Sequence, residues 1–271
     1  LGWVLGEYWG HSWFGVGLAV TIAVVISLAS YFGGGSLILA MSRAKRIEKA
    51  DAPQLFNVVE ELSIAAGLPM PAVYLIDDTA PNAFATGRDP EHATVAITTG
   101  LMEKLTRDEL QGVMAHELSH VQNRDILFSM MVGIMVGSIA LLGDFFVRSF
   151  LWGGGRRRKS SGKGGGNAIF AVIAIVLAIL APLFAKMLQL AVSRQREYLA
   201  DASAVRLTRY PQGLADALRK ISGDREVLEA ANRATQHLYI VNPIKPFEKR
   251  AKSLFSTHPP IEDRIERIMS M

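Results

Sequence analysis

Cysteine is absent from the 271-residue chain. That excludes disulfides, thiolate metal ligands and a cysteine nucleophile together. Charge is thin as well: Asp, Glu, Lys and Arg make up 20% of the residues, against about 25% in an ordinary soluble domain. Hydrophobic residues reach 50% and the mean hydropathy is positive. From Ser12 to Ser42 no charged residue occurs at all. A phosphate-binding loop is also missing. Ser161-Gly162-Lys163-Gly164 lacks the earlier glycine, the hydroxyl residue after the lysine and a preceding strand, so no nucleotide is expected. The net charge of +4 and the pI near 9.4 do not argue for nucleic acid. The basic residues stand beside apolar runs, where a lipid bilayer accounts for them better.

What is present divides the chain into alternating apolar and mixed segments. Residues 1–42 read as an N-terminal membrane region. Trp13 to Phe32 is long enough to cross a hydrocarbon core of roughly 30 Å as a helix, and residues 1–9 read as the end of an earlier apolar segment. A cleaved signal peptide would need a basic start and a small-residue cleavage site. This run ends instead in Arg43-Ala44-Lys45-Arg46, which assigns its carboxyl end to the cytoplasm by the positive-inside rule. Residues 126–193 form a second apolar region. Ile126 to Gly143 and Ala168 to Leu190 flank a flexible Gly-rich basic loop at 153–167, together a hydrophobic hairpin. If the hairpin spans, its basic loop lies outside, against the charge rule, and an impermeant label at a cysteine placed at Ser160 distinguishes the arrangements.

The mixed segments, 43–125 and 194–271, read as two parts of one α+β domain, mainly helical with a small sheet. Asp51 to Leu68 has helical spacing closed by Gly67 and Pro69. Ala72–Ile76 and Thr94–Ile97 are β-branched runs between turn residues. The stretch from Ala80 to Gly87 alternates as an edge strand would. An exposed edge can hold an extended peptide backbone to backbone, which makes Asn82, Ala83 and Phe84 candidates for substrate binding; the alternative is an inner strand and turn. Leu214–Ile221, Val227–Leu238 and Ile261–Met269 have helical spacing.

The chemistry concentrates in His116-Glu117-Leu118-Ser119-His120. Thr106-Arg107-Asp108-Glu109 is a capping box, so a helix starts near Arg107, and residues four apart on it share a face. His116 and His120 can then hold one Zn²⁺, with Glu117 placed to take a proton from a metal-activated water. An amphipathic helix with two incidental histidines would give the same five letters. A third ligand decides between them. Glu197 and Asp201, again four apart, supply a carboxylate ligand and a carboxylate able to accept the free N–H of a ligating histidine. By themselves they would read as an ion-paired helix with Arg194 and Arg196. His11, His92 and His237 have no partner motif and read as ordinary histidines.

These two motifs, with Asn82-Ala83-Phe84-Ala85-Thr86-Gly87 and with Phe255-Ser256-Thr257-His258-Pro259-Pro260 followed by Arg264, resemble the HtpX-type membrane zinc metalloproteases of peptidase family M48, relatives of the Ste24 CAAX prenyl proteases. The resemblance runs over nearly the whole chain. It implies a zincin-like α+β domain combined with transmembrane helices, one Zn²⁺ per chain on His116, His120 and Glu197, and Glu117 as the catalytic residue. It places His258 and Arg264 near the site, His258 as a donor to the oxyanion; Thr257-His258-Pro259-Pro260 is equally a helix start. The implied activity is an endopeptidase in the inner membrane, multi-pass, acting at the cytoplasmic face on unfolded or damaged membrane proteins. A prenyl-protein protease and a catalytically silent scaffold of the same fold are the alternatives.

Overall fold

The computed structural model describes residues 12–125, 127–128, 165–224, 226 and 259–271. The expected helix at 227–238, most of the run at 126–143, the loop at 153–164, and His11, His237 and His258 lie outside them. The chain divides into two compact units, residues 1–28 with 130–191, and residues 29–129 with 192–271. In the first, the described residues are helical.

Helix α1 (Ser12–Met41) carries 30 residues without a charge. Its side chains are described continuously only from Tyr31. Over the described residues alone, no helix is long and apolar enough to cross a membrane.

The second unit holds the sheet: β1 (Lys45–Arg46), β2 (Ala72–Ile76), β3 (Ala83–Thr86) and β4 (Thr94–Thr98) in the order β1-β2-β4-β3. β2 runs parallel to β4, which pairs antiparallel with β3, so β3 is an edge. Helix α2 (Pro53–Ala66) starts with proline at its first turn and stops where Gly67 turns left-handed at φ 66°, a conformation glycine adopts without strain. Its Leu55, Val58, Val59 and Leu62 are buried and join a core with Val73, Val95 and Ile97. The short α3 (Thr99–Lys104) follows β4 directly.

Helix α4 (Arg107–Gln122) opens with the expected capping box: the Glu109 amide donates to Thr106 Oγ1 and the Thr106 amide to Glu109 Oε2. Leu110, Val113, Met114 and Leu118 are buried against the core. Helix α6 (Pro211–Gly223) packs across it. The approach is close: a Cβ on Gly112 would stand 2.6 Å from the Leu214 amide nitrogen, and one on Gly213 2.6 Å from the Asp108 carbonyl. Two glycines therefore set how near these backbones come. Helix α5 (Gly165–Thr208) is continuous over 44 residues, so the apolar run and the Glu-x-x-x-Asp motif, read separately in the sequence, belong to one helix that passes through Pro182. Helix α7 (Ile261–Met269) packs on α6 and sends Ile268 and Arg264 inward.

Candidate metal centre

The opposite face of α4 is buried and polar. His116 is 1% exposed and Glu117 3%, and burying such groups without partners is costly. The partners come from α5. His116 Nε2 and His120 Nε2 are 3.2 Å apart; Glu197 Oε2 is 3.8 Å from the first and Glu197 Oε1 3.6 Å from the second. Tetrahedral ligands with bonds of 2.0–2.1 Å stand about 3.3–3.4 Å from one another. The three side chains are therefore at ligand spacing, and each offers one donor atom within 4.8 Å of the others.

The far nitrogens of both imidazoles are engaged. His116 Nδ1 lies 2.9 Å from Asp201 Oδ1, one helical turn beyond Glu197 on the same helix. His120 Nδ1 lies 2.8 Å from Asp125 Oδ2. A carboxylate on Nδ1 holds the proton there and turns the Nε2 lone pair into the site, the arrangement a metal requires. Arginines complete each pair. Arg264 donates to Asp201 through Nη2 at 2.7 Å and Nε at 2.9 Å, and Arg196 Nη1 is 2.8 Å from Asp125 Oδ1. Glu117, Glu197, Asp201 and Asp125 thus face two guanidiniums. With neutral imidazoles and ionised carboxylates two negative charges are left over, which a divalent cation offsets. The donor set fits such an ion.

Ionisation follows from this packing. Burial lifts the Glu117 carboxyl above its usual range, assisted by nearby Glu197 and opposed by the two histidines and the Ala85 amide. Burial alone would depress His120, but Asp125, Glu197 and Glu117 outweigh it and raise the imidazole to about 9. Asp201 would be lifted by desolvation, yet the Arg264 charge and the His116 hydrogen bond hold it below 3.8. Arg264 is held charged by the same carboxylates against its own burial.

The Ala85 amide couples the sheet edge to the centre: it belongs to β3 and donates to Glu117. The edge strand expected near Ala80–Gly87 therefore exists and lies against α4. Its side chains are spoken for. Asn82, Ala83 and Phe84 are 3%, 1% and 0% exposed; Phe84 packs with Leu39, Ile76 and Ala96, while Asn82 Oδ1 accepts from the Ala83 amide. Of the predicted site residues, His116, Glu117, His120, Glu197, Asp201 and Arg264 come together. His92 is a surface histidine paired with Asp89. Asp125 had no place among the expected site residues, and Arg196 was expected only as an ion-pair partner on its own helix. The only signal was an acid five residues past His120, outside helical spacing.

A buried His-Glu-x-x-His helix met by a Glu-x-x-x-Asp helix, with both imidazoles backed by carboxylates, defines a metallopeptidase. Residues 49–271 match the model of peptidase family M48, and the chain belongs to that family. It is 45% identical to the protease HtpX homolog of Syntrophobacter fumaroxidans over 99% of this chain and 93% of that one. It is 46% identical to the HtpX homolog of Dictyoglomus thermophilum over 95% and 82%. The crystal structure of Ste24p from S. mikatae shares the fold, with a TM-score of 0.58 at 23% identity, covering 93% of this chain and 57% of that one. The protein is a metalloprotease.

Proposed function

We propose that this chain is a zinc-dependent endopeptidase of the membrane that cuts misfolded or damaged membrane proteins at the cytoplasmic face. The observation that carries the reading is the donor triangle of His116, His120 and Glu197 with Glu117 beside it. Two imidazoles and one carboxylate at tetrahedral spacing, without thiolates and with a fourth position left for water, suit Zn²⁺. Zinc bound there supplies Lewis acidity, polarising the scissile carbonyl and acidifying water. Glu117 takes the proton from the attacking water and delivers it to the leaving amine. A carboxyl raised by burial is the better base for the first half of that transfer and a ready acid for the second. Asp201 and Asp125 keep the protons of His116 and His120 on Nδ1, and the Ala85 amide holds Glu117 in place.

The membrane part rests on the charge-free α1 and on the basic cluster after it: Arg43, Lys45 and Arg46 are exposed at its carboxyl end, where the positive-inside rule assigns the cytoplasm. With no nucleotide site in the sequence to drive unfolding, the preferred substrates are flexible or already unfolded segments.

The test is cleavage of an unfolded model protein by the detergent-purified chain, stripped of metal and reloaded with zinc, beside Glu117→Ala. The wild type should cut, and the variant should retain zinc while losing about 10²–10⁴ in rate. A wild type that binds zinc and leaves every unfolded substrate intact overturns the endopeptidase reading.

A further inference from the structure

We infer that Asp125 and Arg196 are positioning residues for the metal centre, forming a second brace that joins the helix of His120 to the helix of Glu197. The inference rests on the reading of His116, His120 and Glu197 as metal ligands. Asp125 sits just past α4, beyond the turn where Arg124 is left-handed at φ 54°, and is 4% exposed. One of its oxygens is 2.8 Å from His120 Nδ1 and the other 2.8 Å from Arg196 Nη1. Arg196 is the residue before Glu197 on α5, and its guanidinium lies over the Phe128 ring, 4.2 Å from the centroid.

Each of these contacts restricts a different freedom. Asp125 fixes the tautomer and ring plane of His120. The Arg196 charge, held over the Phe128 ring, faces the other oxygen of Asp125 as an ion pair through Nη1. Because Arg196 and Glu197 are neighbours in one helix, the same ion pair sets the height of Glu197 against α4. The brace mirrors the one on the other imidazole, where Asp201 holds His116 and Arg264 holds Asp201. The two differ in exposure: the Arg264 side chain is fully buried, whereas that of Arg196 is 26% exposed. The Asp125 brace is thus the outer one, and its loss leaves the buried core of the domain in place. Its effect falls on the ion.

The experiment measures zinc affinity by chelator competition at pH 9.5, above the range in which His120 carries a second proton, on the full chain without substrate, for the wild type, His116→Ala, Asp125→Ala, Asp125→Asn, Arg196→Gln and the Asp125→Ala/Arg196→Gln double variant. Melting of the metal-free proteins is followed alongside. Asp125→Ala should weaken zinc about 10–100-fold, with metal-free melting close to wild type. Asp125→Asn keeps the volume and an acceptor for Nδ1–H, so it should lose less, and it serves as the reading if the alanine variant does not fold. Arg196→Gln should weaken zinc several-fold alone and add nothing in the Asp125→Ala background. Unchanged affinity in the Asp125 variants beside a large loss in His116→Ala overturns the brace while the metal reading stands. Additive losses overturn the link to Arg196. A wild type that holds no metal removes both.

Discussion

Asp201 and Arg264, from helices α5 and α7, form a two-point clamp at 2.7 and 2.9 Å in which neither side chain is more than 1% exposed. The clamp is one step from the ion: the oxygen that accepts from Arg264 Nη2 also faces His116 Nδ1 at 2.9 Å. A structural ion pair and a ligand-orienting hydrogen bond therefore share one atom. Replacing Arg264 by alanine leaves a buried carboxylate without its counter-charge, and such losses cost about 3–5 kcal/mol. Arg264→Lys keeps the charge but not the fork, so it should recover only part of that. Thermal melting of both variants checks the order.

Metal uptake should expel a proton. Without an ion His120 titrates near 9, so at pH 7 it is protonated and cannot ligate until that proton leaves. Affinity for zinc should rise by up to about tenfold per pH unit from 7 towards 9 and level off above. Metal-free stability has the opposite trend. A pKa raised from 6.5 in the unfolded chain to about 9 in the fold gives a contribution fully present below 6.5 and lost as pH climbs through 9. Chelator competition and metal-free melting across pH 6.5–9.5 read both.

Glu109 offers an acid-side counterpart away from the metal. Its own burial would lift it, but Lys220 at 2.7 Å and the Thr106 amide and hydroxyl hold it below 4.5. Its folded value is depressed, so the stabilisation is complete above 4.5 and disappears as pH falls through the lower folded value. Glu109→Gln should cost about 1–2 kcal/mol at neutral pH through the weakened cap. Its melting temperature should converge on that of the wild type as pH drops below 4, which a melting series from pH 7 to 3 would show.

Gly112→Ala separates propensity from packing. Alanine favours a helix over glycine by about 1 kcal/mol, yet its Cβ would stand 2.6 Å from the Leu214 backbone, an atom that moves only with the whole of α6. Overpacking of that kind costs about 1–3 kcal/mol. The variant should melt below the wild type despite the better helix former; a rise would mean that α6 slides freely over α4.

Local signals carried much of this architecture. The Thr106 box placed the start of α4, Gly67 and Pro69 closed α2, and period-four pairs brought His116, His120, Glu197 and Asp201 onto two faces before any tertiary contact was known. What escaped depended on contacts between distant segments. Asp125 leaves helical spacing at the Arg124 turn, so its bond to His120 has no periodic trace, and its arginine lies 71 positions further on. The edge strand was legible, whereas the burial of Phe84 was not. Alternation shows which residues share a face of a strand, not whether both faces are covered, and here they are.

The clamp on Asp201 has a consequence in time. Arg264 lies 148 residues beyond His116, so a ribosome that has just placed His116 must still translate all of that before the guanidinium reaches its carboxylate. On every shorter nascent chain Asp201 lacks its counter-charge and His116 its settled support. The order of synthesis therefore completes the support of His116 only after both ligand-bearing helices have been made.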